Sequence, residues 1–155
     1  NRQSNRTDGS LAVSDTRSLS TPWVALSQQL TAHALVYASY GQGLEAEVAP
    51  NTSTYSNAAQ PLPALRSTQR EVGIKSQEGR SSWQATWFDI TRPATTDAGT
   101  CNSLMPGSCT RQIDGQNHHQ GLELSAQTSL PQWHVGGSAL WLDAKRENAT
   151  VQSRQ

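Results

Sequence analysis

No stretch of about 18 apolar residues occurs in this chain, so it contains no helix long and oily enough to cross a bilayer. Charge is scarce as well. Only 15% of residues are charged, the twelve acidic and twelve basic side chains cancel, and they are scattered along the chain. That pattern excludes a basic nucleic-acid surface and a disordered polyelectrolyte, so no nucleic-acid partner is expected. Hydrophobic residues make up 34%, too few for a conventionally filled core. Cysteine (two) and histidine (four) are sparse and form no metal motif. His118 and His119 are adjacent, so in a strand they point to opposite faces and cannot share one ion. Gly41-Gln42-Gly43 is half of a dinucleotide fingerprint without a following helix. The sequence offers no catalytic constellation, no cofactor site and no metal site, and we expect no enzyme.

What is present is alternation. The central stretch, Thr68 to Pro93, reads as two strands joined by a tight turn at Gln77-Glu78-Gly79-Arg80, with Gly79 where positive φ is needed. Val72 and Ile74 alternate with Glu71, Gly73 and Lys75. Trp83, Ala85 and Trp87 alternate with Gln84 and Thr86. Each strand therefore has one apolar and one polar side. Around this hairpin the chain predicts six strands, at about residues 20–30, 34–45, 67–76, 82–92, 111–128 and 132–145, with long loops at 1–17, 46–66 and 93–110. The faces of strand 34–45 stay open, because Leu35/Tyr37 and Val36/Ala38/Tyr40 are both apolar sets. A bulge is expected where the alternation blurs at Trp87-Phe88.

Short turns and long loops alternate strictly, which places every long loop at one end of an antiparallel up-and-down sheet. Greek-key sandwiches scatter their connections, whereas outer-membrane barrels segregate them and keep a polar interior. We therefore expect an all-β membrane barrel, with a soluble secreted β-sandwich binding or adhesion module as the rival. The rival requires Leu122 and Leu124 to be buried between two sheets. Trp83 and Trp133 follow short turns, where an interfacial aromatic girdle would lie. Cys101 and Cys109, close together in a Gly/Pro/Ser-rich segment, are expected to form a disulfide suited to an exported protein. The chain opens on Asn1 and ends in a polar tail through Gln155, which predicts a piece of a longer protein cut inside loops.

Six segments occur in a telling order: TPWVALSQQL, LVYASYGQGLE, STQREVGIKS, WFDITRP, DGQNHHQGLELSA and WHVGGSALWLDA. Over about residues 20 to 145 the chain resembles the C-terminal half of the barrel of TonB-dependent outer-membrane receptors, the ferric-siderophore type above all. Gln69, Glu71, Gly73 and Lys75 carry one motif, Phe88, Asp89 and Ile90 a second, and Gly115, His119, Gly121 and Glu123 a third. Gln28 departs, standing where the family usually has an apolar or aromatic residue. The resemblance implies a barrel of about 22 strands with a plug inside it. It also implies a Gram-negative outer membrane and uptake of a ferric siderophore or similar chelate. A TonB complex would power that uptake through a segment outside this chain.

In the barrel reading Glu71, Lys75 and Glu123 face the wet lumen, pairing with one another or supporting the plug, while lipid covers the apolar side. Ligand contacts would come from the long loops. Arg and aromatic side chains suit an anionic chelate, which makes Tyr55, Arg66, Arg92 and Arg111 the candidates.

Overall fold

The computed structural model describes residues 2–5, 11–15 and 18–150, and among them every regular element is a strand. β1 (Arg2–Asn5) and β2 (Leu11–Asp15) pair antiparallel with each other. The remaining six are β3 (Trp23–Gln29), β4 (Ala34–Glu45), β5 (Leu65–Glu78), β6 (Ser81–Gly99), β7 (Cys109–Ser129) and β8 (His134–Glu147). They form one antiparallel sheet in chain order, the up-and-down arrangement expected. Short connections join β3–β4, β5–β6 and β7–β8, and the two long ones leave from the opposite end. The tightest turn is Gly79-Arg80, with Gly79 at φ 58°.

Directly paired residues share a face, so the register sorts the sheet into two sides. One row runs Leu26, Ala38, Val72, Trp87, Leu122, Trp141, and the next towards the short turns runs Gln28, Val36, Ile74, Ala85, Leu124, Ala139. This is the apolar side. It decides the open question in β4: Val36, Ala38 and Tyr40 belong to it, while Leu35 and Tyr37 share the polar side with Lys75 and Gly73. On β8 the apolar row from Val135 to Trp141 covers about 20 Å. It is open to its surroundings: Val72 is 54% and Leu122 39% exposed, which removes the sandwich's buried Leu122–Leu124 layer.

The core lies elsewhere. Ala49, Leu62, Leu65, Ala94 and Cys109 are the buried apolar residues, all in the long loops or the strand ends next to them.

Four expectations need correction. Part of the 1–17 loop is strand, β2 pairing with β1; residues 1, 6–10 and 16–17, like the tail 151–155, lie outside the described residues. The expected 93–110 loop shrinks because β6 and β7 continue to Gly99 and Cys109, with β-branched Thr95 and Thr96 pairing Ile113 and Gln112. The 46–66 loop likewise ends sooner, β5 starting at Leu65. Finally, register is unbroken at Trp87-Phe88; the irregularity falls between Pro93 and Thr95, where two β7 residues oppose one on β6. Gly115 makes this bulge possible. It sits at φ 75°, and a Cβ there would stand 2.3 Å from the Glu147 carbonyl oxygen.

Candidate functional site

The polar side of the sheet carries glycines opposite aromatic rings. Tyr37 faces Gly73 across β4–β5, Phe88 faces Gly121 across β6–β7, and Trp23 faces Gly41 across β3–β4. A Cβ on Gly73 would lie 2.6 Å from the Tyr37 ring. The missing side chain lets the phenol cross β5 and reach Thr86 on β6, with 2.9 Å between Oη and Oγ1. Lys75 Nζ stands 4.8 Å from the same ring's centre, a cation–π contact.

Glu71, Lys75 and Glu123 all project from this side. Among the described residues no ion pair links them. Glu71 accepts a hydrogen bond from Gln69 Nε2 at 2.6 Å. Glu123 lies two strands from β5, roughly 10 Å away, so the pairing offered as one alternative is not made. Towards the short turns the polar side dips into a basin of about 950 Å³, lined in part by Gln29, Lys75, Gln77, Gln84, Ser125 and Ser138.

At the other end the two long loops form one body. Their centre is Arg111, which donates to Glu47 Oε1 (2.7 Å), Asp97 Oδ1 (3.1 Å) and Thr95 Oγ1 (2.9 Å). Tyr55 Oη donates to the second Asp97 oxygen at 2.9 Å. The Asn57 amide brackets the Arg111 backbone, accepting from its N–H (3.1 Å) and donating to its carbonyl (2.7 Å). Tyr55 and Cys109 form a parallel bridge through Ser56 N–H to Cys109 O (2.7 Å) and Cys109 N–H to Thr54 O (2.9 Å). Cys109 is also disulfide-bonded to Cys101. The hydrogen bond to Asp97, helped by partial burial, pushes the Tyr55 hydroxyl above its usual pKa. Partial burial works against the charge on Arg111, but its bonds to Glu47 and Asp97 outweigh that and raise its pKa.

Of the four ligand candidates, Tyr55 and Arg111 thus meet around Asp97. Arg92 is separate, paired with Glu45 at 2.6 Å. Arg66 is exposed, lies on the apolar side's parity opposite Leu44, and has no partner among the described residues.

The TonB-dependent receptor-like β-barrel family model matches residues 1–154. The chain belongs to that family. A receptor of known structure is similar to it: BauA, the ferric preacinetobactin receptor from Acinetobacter baumannii, at 30% identity and a TM-score of 0.60. The match covers 80% of this chain and 18% of BauA, so the chain spans under a fifth of that receptor. No curated protein matches.

In this TonB-dependent receptor-like chain the sequence reading missed Glu47, Asp97 and Asn57, which build the loop body. The signal for Asp97 was available: once Thr95-Thr96 is read as strand, Asp97 falls opposite Arg111. Nothing in the sequence points to Glu47, 64 residues from its partner. Asp89, named in the sequence as part of the Phe88-Asp89-Ile90 motif, finds a partner the sequence did not show: its Oδ2 lies 2.8 Å from His118 Nε2 just above the apolar rows.

Proposed function

We propose that this chain is part of the wall and mouth of an outer-membrane receptor for TonB-dependent uptake of a ferric siderophore or similar scarce chelate. It acts as a transporter component, not an enzyme. One observation carries the reading: a six-stranded sheet, β3 to β8, with an open apolar side, a polar side with an open basin, and both of its long connections at one end, in a chain of the TonB-dependent receptor-like family. Such a sheet is stable where hydrocarbon lies against one side and water or protein against the other.

In this reading Val72, Trp87 and Leu122 face lipid, with Trp83 and Trp133 at the interface by the short turns. Glu71, Lys75 and Glu123 face the lumen, and the basin around Lys75 seats the plug. The Arg111–Tyr55 body holds the mouth loops in place, leaving Arg66 and Arg92 as the cations nearest to availability for an anionic chelate. BauA, by its name a ferric preacinetobactin receptor, supports the substrate class. The test is chelate-dependent iron uptake by cells carrying or lacking the full-length receptor, with fractionation alongside. Membrane recovery and loss of uptake of at least one ferric chelate in the deletion are expected. Recovery of the full-length protein in the soluble periplasm, or unchanged uptake across ferric chelates and vitamins, would overturn the proposal.

A further inference from the structure

Four neighbouring strands enclose a second, smaller cavity on the polar side, nearer the mouth than the basin. Trp23 on β3, Gly41 on β4, Gln69 on β5 and Ile90 on β6 form one row of it. That row lies three residues beyond Leu26, Ala38, Val72 and Trp87, about 10 Å further towards the long loops. The cavity holds about 330 Å³ and has a floor of bare backbone, because β4 contributes Gly41 and Gly43. A Cβ on Gly41 would lie 2.7 Å from Trp23 Cδ1, and one on Gly43 would lie 2.7 Å from Ser67 Oγ. An indole on β3 and the Glu71 carboxylate on β5 thus flank an open floor.

Glu71 is the only charged side chain that lines this cavity. It is partly buried and accepts one hydrogen bond, from Gln69 Nε2, and no cation pairs with it among the described residues. The surrounding cations are committed or turned away. Arg92, two residues beyond Ile90, is bonded to Glu45 at 2.6 Å. Lys75 stands against the Tyr37 ring, and Arg70 lies on the opposite side of the sheet, in the row of Tyr40 and Asp89.

We propose that this cavity takes a cationic arm of the ligand, a primary ammonium or guanidinium group, held between the Trp23 indole and the Glu71 carboxylate. The ring attracts a cation through its quadrupole, and the carboxylate accepts a charge-assisted hydrogen bond from it. The hydroxyl oxygens of Ser39 and Ser67, also in the lining, are acceptors for the remaining N–H groups. Gln69 is a positioning residue, since it fixes one oxygen of Glu71. The same carboxylate repels an anionic group, so the iron-binding part of the ligand stays outside the cavity. The inference rests on the receptor reading above and adds a charge preference to its ligand.

The test is saturation-transfer NMR on the full-length receptor in a non-ionic detergent, titrated with methylguanidinium and with its neutral, near-isosteric counterpart methylurea. Wild type binds methylguanidinium saturably and in preference to methylurea. Glu71→Gln weakens that binding about tenfold, the worth of one charge-assisted bond. Trp23→Leu weakens it about threefold, as loss of an open cation–π contact should. Equal binding of the two probes, or no binding of either, overturns the inference. So does unchanged affinity in Glu71→Gln with strand content intact by circular dichroism. None of these outcomes touches the receptor reading, which chelate uptake by the wild type decides separately.

Discussion

Tyr37 crosses the sheet over Gly73, and the closeness of that crossing makes the glycine a structural requirement. A Cβ at Gly73 would displace the ring and with it the bond to Thr86 and the contact with Lys75. Gly73→Ala in the full-length receptor should cost about 1–3 kcal/mol, from overpacking and a lost hydrogen bond. Thermal unfolding reads it. In a Tyr37→Ala background the same change should cost little; an undiminished cost there would show that the ring is not the cause.

Arg111 ties three acceptors from two chain segments. Arg111→Ala leaves Glu47 and Asp97 as neighbouring carboxylates without their cation. The expected loss is about 2 kcal/mol of local stability, seen as faster proteolysis between residues 46 and 64 with the barrel intact. Proteolysis at the wild-type rate would argue that the backbone bridges alone hold the loop.

The disulfide closes a loop with a sequence separation of eight. For so short a loop, Cys101→Ser with Cys109→Ser should lower stability by about 2–3 kcal/mol in the chain-entropy account. Because Cys109 also bonds Thr54 and Ser56, hydrogen exchange should rise at 53–56 as well as at 100–108. Faster exchange confined to 100–108 would separate the two roles.

Tyr55 holds its proton more tightly in the folded loop body than a free phenol at 10.0 does. Its contribution is therefore complete below the unfolded value and fades as pH rises through the higher folded one. Alkaline titration of phenolate absorbance, wild type minus Tyr55→Phe, should place this tyrosine above the free value. Asp97→Asn should move it back down; no movement would assign the shift to burial rather than to the hydrogen bond.

Trp87 and Leu122 are paired on the apolar side. Trp87→Arg should destabilise the full-length receptor in bilayers, by less than the about 2–4 kcal/mol of a midplane site, because charged residues occupy the next row up. The same change at Gln84, which lines the open basin on the polar side, would show no such dependence on the bilayer. Equal effects at both positions would contradict the assignment of sides.

The period-two alternation makes the strands readable, and Trp83-Ala85-Trp87 against Val72-Ile74 marks one apolar side from the sequence alone. β4 resisted because both of its sets are apolar, and only pairing with Val72 and Ile74 separates them. The overhang from Ala94 to Gly99 was unreadable for a different reason. It runs past the apolar rows, so nothing forces its residues to alternate, and Pro93 looks like a strand end. The Glu47–Arg111–Asp97 cluster depends on contacts between distant segments, which leave no local pattern. Lys75, Glu71 and Glu123 were placed on one side by alternation alone, but that Lys75 would lie against Tyr37 depended on the side-chain crossing at Gly73.

β6 and β7 run from the disulfide-bearing tip to the short-turn end, and the step at Gly115 is the one register break between them. A load applied at Leu104 is carried down a doubly laced mast, through Cys109, to the floor beside Gln84 and Ser125 where the basin opens. In the receptor proposed above, mouth and lumen floor would thus be joined by one continuous pair of strands, whose pairing is interrupted at the step beside Gly115 alone.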